Sequence, residues 1–266
     1  VSTLVQQAGR RQGEVRSSAM EAIGNLAIPP NIPDVTQLML KTQKGRDRDQ
    51  LEKALMLAAR QLPDANHQAD AILAAVDLGS QSQRIGILPT LGRVGGEQAS
   101  ELVNAALGRD DPAVYDAGVR AISNWPDATV AAQLGDLAAN ARSQVHRTWA
   151  LRALIRVITL PGGPPDEQKL TVLRDSMKLA GRSDEQLLVI RRAAAVRSPE
   201  TLALLTPYLE QPEYAQPACQ SVVELAHHKE LRDSAKPAFE AALNKVISIC
   251  QDQQLVQRAR LYLQAK

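Results

Sequence analysis

The stretch DPAVYDAGVRAI, residues 111–122, indicates how this chain folds. Val114 is followed by Gly118 four residues later, and by Ala121 and Ile122 seven and eight residues later. Residues at these offsets lie on one face of an α-helix, and small residues on that face let a second helix approach closely. The stretch therefore predicts a helix that packs its apolar face against a neighbouring helix.

The same spacing recurs along the rest of the chain. Each copy opens with an anchor residue, has a small or aliphatic residue four positions later, and has an apolar pair seven and eight positions later; the copy at Gln83 fits most loosely. The other anchors are Val15, Leu51, His146, Gln186, Ala215 and Leu255. We expect eight helices of this kind, here named second helices, over 12–27, 48–61, 81–94, 111–124, 143–159, 183–196, 213–228 and 252–265. Prolines inside two of them, Pro89 and Pro217, should kink them or shorten their first turns.

A different helix is predicted before most of the second helices. Its mark is a proline, or once a glycine, followed by an acid, because proline suits the first position of a helix and an acid complements the helix dipole. The marks are Pro33-Asp34, Pro63-Asp64, Gly96-Glu97, Pro126-Asp127, Pro165-Asp166 and Pro199-Glu200. They predict first helices over 33–42, 64–78, 97–108, 127–140, 165–180 and 199–210, with a further one over 231–250 that Pro237 should disturb. We expect an all-α protein whose first unit lacks most of its opening helix.

The second helices resemble those of HEAT repeats, which typically open Asp-Pro-x-Val-Arg and continue to Ala and then Ala-Leu. Asp111-Pro112-Ala113-Val114 with Ala121-Ile122 is the best copy, and Gly13-Glu14-Val15-Arg16 is nearly as good. Arg84 and Arg147 hold the family's Arg position in two further units, whereas Glu52, Tyr115 and Leu187 depart from it. The resemblance implies that this Arg pairs with an acid of a neighbouring unit, and the departures argue against a continuous ladder.

What the resemblance implies for the whole chain is a right-handed α-α superhelix, or solenoid, of about eight helix pairs. It covers residues 1–266 as a single repeat domain. The expected units are 1–30, 31–62, 63–95, 96–125, 126–164, 165–197, 198–229 and 230–266.

The chain also carries marks that bear on its origin. The stretch 201–226 is similar to HEAT modules of large bacterial multidomain proteins, including exported ones of planctomycete type. Because the sequence opens at Val1 without a Met, we expect a processed form or a fragment of something longer. Cys219 and Cys250 have no metal-binding spacing and are interpreted as two buried small side chains. A disulfide between them is the alternative and would imply export, so the compartment, cytoplasmic or exported, stays open.

Composition and motifs argue against several functions. Lys and Arg number 31 against 29 Asp and Glu, and aromatic residues make up 3% of the chain. Near-neutral charge argues against a strongly basic nucleic-acid module, and no apolar run approaches the ~20 residues of a membrane span. The sequence contains no GxxxxGK[ST], GxGxxG, GxSxG or HExxH motif, so we expect no enzymatic activity and no cofactor.

Histidine and tryptophan residues give two weaker hints of chemistry. His227 and His228 with Glu224 could share a helix face, but zinc needs three or four ligands, and a polar helix end is the simpler interpretation. We therefore expect no metal site. His146 stands at an anchor position and is expected to be buried in the core or an interface. DNA glycosylases and bilin lyases exist on HEAT-like folds, but Trp125 and Trp149 are too few for base stacking, and nothing is specific to a lyase.

The candidate site is a set of arginines on the second helices, here named the arginine column. The resemblance implies that second helices line a concave groove, so that the position six after each anchor points toward it. The column consists of Arg120, Arg152 and Arg192 at that position, Arg93 and Arg156 ten after their anchors, and Arg191 beside Arg192. Arginine can grip carboxylates or phosphates through its planar fork of donors, but exposed arginines are also common on helices without any function.

The sequence therefore predicts a non-enzymatic protein-binding or scaffold module that recognises an acidic protein partner through this groove. A nucleic-acid-binding or DNA-repair solenoid is one alternative, against which the near-neutral charge and the few aromatic residues count. A structural spacer between other domains is another, and it would need no charged patch. The oligomeric state stays open.

Overall fold

The computed structural model describes residues 1–10 and 13–264, and every regular element in those ranges is a helix. The predicted all-α class is therefore confirmed. The α-helices are α1 Ser2–Arg10, α2 Glu14–Leu26, α3 Ile32–Lys41, α4 Arg46–Ala59, α5 Asp70–Ala74, α6 Gln81–Val94, α7 Glu97–Leu107, α8 Pro112–Ser123, α9 Ala131–Asn140, α10 Gln144–Ile158, α11 Asp166–Leu179, α12 Ser183–Ala193, α13 Pro199–Leu205, α14 Ala215–Ala226, α15 Lys229–Ser234, α16 Lys236–Ile249 and α17 Gln253–Gln264. Short 3₁₀ turns cover Pro29–Asn31, Ala65–His67, Ala128–Val130 and Thr206–Glu210.

The predicted second helices match the structure closely. They are α2, α4, α6, α8, α10, α12, α14 and α17, and their ends differ from the predicted ones by a few residues. Pro89 lies inside α6, which continues to Val94. Pro217 lies in the first turn of α14, where a missing backbone N–H leaves no intrahelical bond unmade.

The first helices differ more from their predicted spans. The predicted helix 64–78 is a 3₁₀ turn followed by the five-residue α5, and 127–140 likewise opens with a 3₁₀ turn before α9. In both places the acid itself is the cap: the Asp64 carboxylate accepts from the backbone N–H of Asn66, and that of Asp127 from Thr129, each at 2.9 Å. The proline before each acid therefore lies outside the helix rather than at its first position. The expected arrangement occurs at Pro199, which follows its Ser198 cap.

Two further expectations about first helices were wrong. The predicted helix 231–250 is two helices, α15 and α16, so the disturbance expected at Pro237 is a full break at Ala235, because Pro237 cannot donate a backbone hydrogen bond in the turn that would join them. At the start of the chain, α1 occupies residues 2–10 and contacts α2, so the first predicted repeat, residues 1–30, does have an opening helix.

The chain divides into two compact units, Val1–Pro126 and Asp127–Lys266. Within the first unit, α2, α4, α6 and α8 each contact the next, while α1, α3 and α5 form a second row. Within the second unit, α10, α12, α14 and α17 each contact the next, and α9, α11 and α13 form the other row. Each unit therefore has two rows of helices, with the second helices in one of them. The single repeat domain over residues 1–266 and the repeat boundaries within it stay predictions.

Apolar residues at the predicted spacing form the core of each unit. In α4, Leu51, Leu55, Ala58 and Ala59 are at most 1% exposed. The anchor Val15 departs from this, being 54% exposed, because it lies in the first turn of α2 at the end of its row. Burial of such faces is what fixes each second helix in place.

Glycine sets the distance between the last two second helices of the first unit. A Cβ built on Gly92 in α6 would lie 2.1 Å from the backbone oxygen of Ala121 in α8. The two backbones are therefore in direct contact, at a separation that only glycine permits.

Candidate binding surface on α10 and α12

Four members of the arginine column lie on two adjacent helices of the second unit. Arg152 and Arg156 belong to α10, where a spacing of four places them on one face, and Arg191 and Arg192 belong to the last turn of α12. Ser143 caps α10 by accepting from the backbone N–H of His146 at 3.2 Å. The two helices contact each other directly.

Arg156 and Arg192 lie near each other on this surface. The Arg156 side chain is half-buried and Arg192 is exposed. Burial lowers the pKa of the Arg156 guanidinium, and the positive charge of Arg192 lowers it further. The two cations are therefore close enough to repel each other, and Arg192 has no ion pair in the part of the chain that the structure describes.

Arg152, by contrast, is already bound to an acid. Its guanidinium lies 2.5 Å from the carboxylate of Asp184 at the start of α12, and Arg182 lies 3.0 Å from the same carboxylate. All three side chains are substantially exposed. One acid thus serves two arginines, which leaves a local excess of positive charge.

A buried acid holds the two helices in register beneath the arginines. Glu185 is 1% exposed, and its carboxylate accepts from the Thr148 hydroxyl of α10 at 3.0 Å and from the backbone N–H of Gly181 at 3.1 Å. Sequence reasoning missed this residue, since nothing in its spacing separates it from the acids usual in a first helical turn.

Arg191 is exposed and lies on a different side of α12 from Arg192. Neighbouring residues of an α-helix are rotated by about 100° from each other, so Arg191 and Arg192 cannot share one narrow face. Arg191 therefore belongs to the margin of the surface.

The remaining members of the column, Arg93 and Arg120, lie in the first unit and already have acidic neighbours. Arg93 lies 3.6 Å from Glu52, and Arg120 forms an exposed pair with Asp116 in its own helix at 2.8 Å. Arg93 therefore has a structural role that the sequence did not predict.

Glu52 is the centre of a buried ionic cluster in the first unit. It lies 3.3 Å from Arg48, and both side chains are nearly inaccessible to solvent. Arg48 also donates to the carbonyl oxygens of Met39 and Thr42 at 3.1 Å and of Gly86 at 2.6 Å. The cluster joins α3, α4 and α6.

The pairing implied for the family's Arg position occurs in one of the three places. Arg16 in α2 lies 2.8 Å from Asp47 in the neighbouring α4. Arg147 instead donates to Gln144 and to the carbonyl of Ala141 within its own helix pair. The Arg84 side chain has no hydrogen bond or ion pair to any residue that the structure describes.

The side chains of the polar helix end at residues 224–228 are engaged in other contacts. Glu224 lies 2.9 Å from Arg258, and the His227 ring lies 3.0 Å from the Tyr262 hydroxyl. Among the described residues, no three His, Cys, Asp or Glu side chains are grouped as a metal would require. His146 is half-buried and lies against Trp149, with ring centroids 5.5 Å apart.

Cys219 and Cys250 are both buried free thiols, as the first interpretation of these residues predicted. Burial and the neighbouring Cys250 raise the pKa of the Cys219 thiol to about 12. A thiol with so high a pKa is a poor nucleophile at neutral pH.

The helices in the described ranges include none with both the length and the apolar character needed to cross a bilayer.

Comparison with known proteins identifies no family. No protein-family model matches the chain, and no curated protein matches its sequence. Among solved structures, the chain is similar to an engineered protein known from a crystal structure, with a TM-score of 0.43 and 19% sequence identity. The match covers 100% of this chain and 78% of the engineered one.

Proposed function

We propose that this chain is a non-enzymatic binding module of the HEAT-type solenoid class, and that its α10–α12 surface binds an acidic segment of a partner protein. The observation that carries the proposal is the juxtaposition of Arg156 and Arg192. Arg192 is exposed and forms no ion pair with any described residue, and the half-buried Arg156 lies near enough to feel its positive charge.

The positive charge of Arg192 lowers the pKa of Arg156, so the two guanidinium groups repel each other in the folded protein. A carboxylate that reached both would remove the repulsion and form charge-assisted hydrogen bonds, each stronger than a neutral one. Arginine suits this task because its planar fork donates to both oxygens of a carboxylate. The surface therefore favours an acidic ligand over a neutral one.

The solenoid part of the proposal rests on the two rows of helices within each unit. Within each unit, a second helix contacts the next second helix along the chain, as stacked repeats require. The sequence resemblance to HEAT repeats adds the expected repeat length. A module of this kind binds through its surface, and its fold implies no particular reaction.

A nucleic acid is the second candidate ligand, because phosphates also bind paired arginines. The formal net charge of the chain is only +2, and Asp184 lies within the same surface. An acidic protein segment can be matched to such a mixed surface, whereas a polyphosphate backbone would meet repulsion at the acid.

The test compares three proteins as bait in extracts that are treated with nuclease or left untreated. They are the wild type, the Arg156→Gln/Arg192→Gln variant and a control, Arg174→Gln/Lys178→Gln, which removes two positive charges from the exposed side of α11. We expect a partner that the wild type and the control retain with or without nuclease and that the Arg156→Gln/Arg192→Gln variant loses. Its purified form should bind that variant at least about tenfold more weakly, the effect of losing one or more charged hydrogen bonds.

Three results would contradict the proposal. Equal retention of the partner by all three proteins would show that the α10–α12 surface does not bind it. Loss of the partner on nuclease treatment would favour a nucleic-acid ligand. Bait that retains nothing would favour a structural spacer.

A further inference from the structure

The first compact unit contains a pocket between α6, α7 and α8 that was not predicted from the sequence. Its volume is about 520 Å³, within the range usual for sites that bind small molecules. Most of its wall is apolar, and the larger apolar side chains in it are Leu78, Ile85, Ile87, Leu88, Leu102 and Val114.

Direct contacts between the surrounding helices fix the positions of the pocket walls. Gly92 brings α6 against α8, and a Cβ built on Gly118 of α8 would lie 3.1 Å from the Cβ of Ala106 in α7. At the other end, the side-chain amide of Gln81 donates to Asp111 at 3.1 Å and links the starts of α6 and α8. The pocket is thus bounded by fixed helices.

Small residues on α7 explain why the space between these helices is empty. Ala105, Ala106 and Gly108 line the pocket from that side, and none has a side chain long enough to fill it. The cavity is therefore built into the helix packing, and it opens beside the exposed residues Arg84 and Arg109.

The acidic groups at the rim are already engaged. Asp111 accepts from the backbone N–H groups of Ala113 at 2.9 Å and Val114 at 3.3 Å, and its second oxygen accepts from Gln81. Its charge is therefore offset by the start of α8. Arg109 and Asp110 each have further interactions with neighbouring groups.

Arg84 is different from the other charged groups of the rim. It lines the pocket from α6 and is exposed, and within residues 1–10 and 13–264 its guanidinium has neither a hydrogen bond nor an ion pair. Its position in the HEAT resemblance implies an acidic partner from a neighbouring unit, and no acid of the described chain takes that place. An unpaired guanidinium beside an apolar cavity is matched by a ligand that has a negative end and an apolar body.

We propose that this pocket binds a small amphiphile with one carboxylate, whose apolar body fills the space between α6, α7 and α8 and whose carboxylate pairs with Arg84. A single anionic group is expected because Arg84 is the one rim charge without a partner among the described residues. The site lies in the first unit, so the proposal does not depend on the arginine surface of α10 and α12.

The test uses calorimetric titration of the full chain with decanoate as the probe and decan-1-ol as its neutral counterpart. Arg84→Gln removes the proposed partner of the carboxylate. Arg60→Gln is the matched control, since it removes an exposed charge at the end of α4 in the same unit. Ala105→Trp places a large side chain at the pocket wall, and circular dichroism and thermal unfolding verify that this variant folds.

We expect decanoate to bind the wild type and Arg60→Gln equally, and Arg84→Gln about tenfold more weakly, as for the loss of one charged hydrogen bond. Decan-1-ol should bind more weakly than decanoate and should be insensitive to Arg84→Gln. Folded Ala105→Trp should bind neither. Decanoate that fails to bind the wild type, or that binds folded Ala105→Trp or Arg84→Gln as tightly as the wild type, would overturn the proposal.

Discussion

Arginines of the second helices have different surroundings in the two compact units. On α4 and α6, Arg48 and Arg93 lie close to the buried carboxylate of Glu52, and Arg48 also donates to three backbone carbonyls. On α10 and α12, Arg156 and Arg192 lie close to each other, and the nearby positive charge lowers the pKa of Arg156. The first set joins helices, while Arg192 of the second set is exposed and forms no ion pair with any described residue.

The location of a buried acid accounts for this difference. Glu52 of α4 points its carboxylate at arginines, whereas Glu185 of α12 accepts from the Thr148 hydroxyl and the Gly181 backbone. Both acids hold neighbouring helices together. Position within a repeat therefore does not decide what an arginine does; the groups around it do.

Removing the acid of the first unit should have the largest effect. Glu52→Ala leaves the buried Arg48 without its carboxylate, and breaking a buried ion pair in this way costs about 3–5 kcal/mol. Urea denaturation should show this loss in the free energy of unfolding. A loss below about 1 kcal/mol would mean that the carbonyl contacts alone hold Arg48, and the contrast between the two units would fail.

The contact between α6 and α8 should be the next most sensitive. A methyl group at Gly92 would collide with the backbone of α8, so Gly92→Ala should destabilise the protein by about 1–3 kcal/mol. Gly24→Ala in α2 is the control, because no atom lies within 4 Å of a Cβ built there. That substitution should instead stabilise the protein by about 0.5–1 kcal/mol, and equal effects of the two would show that α6 and α8 are not in backbone contact.

The exposed acid of the second unit should matter least for stability. Asp184→Ala removes an exposed pair with Arg152, so the free energy of unfolding should change by less than about 1 kcal/mol. Because the surface becomes more positive, binding of the proposed acidic partner should strengthen, and the gain should shrink as salt is added. Weaker binding of that partner by Asp184→Ala would indicate that Asp184 itself contacts the ligand.

The spacing of apolar residues in the sequence predicted the second helices, because those residues form the buried face of each helix. The all-α class and the second helices follow from residues such as Leu51 and Leu55, which are fully buried in the structure. The first helices were predicted from a proline-acid mark, which matched α3, α7 and α11 to within a residue or so at each end, whereas α5 and α9 begin several residues after the mark. The carboxylates of Asp64 and Asp127 each cap a 3₁₀ turn by accepting from the backbone N–H two residues later. The proline-acid pair alone does not distinguish this local hydrogen bond from the start of an α-helix.

The candidate site was predicted only as a set of arginines. Spacing indicated which of them share a helix face, but it could not show that Glu52 lies near Arg93 or that Asp184 pairs with Arg152, because these contacts join residues from different helices. The pocket beside Arg84 was missed for the same reason, since it depends on how small residues of α7 lie against α6 and α8. The HEAT-type solenoid and the partner remain proposals.

The most direct test of the contrast between the two units is the same substitution in both, measured by urea denaturation. Arg192→Gln should leave the free energy of unfolding within about 0.5 kcal/mol of the wild-type value or raise it, because it removes a repulsion with Arg156. Arg93→Gln should lower it, because Glu52 then loses one of its two cations. If Arg192→Gln destabilised the protein as much as Arg93→Gln does, Arg192 would be a structural residue, and the α10–α12 surface would lose its claim to be a binding site.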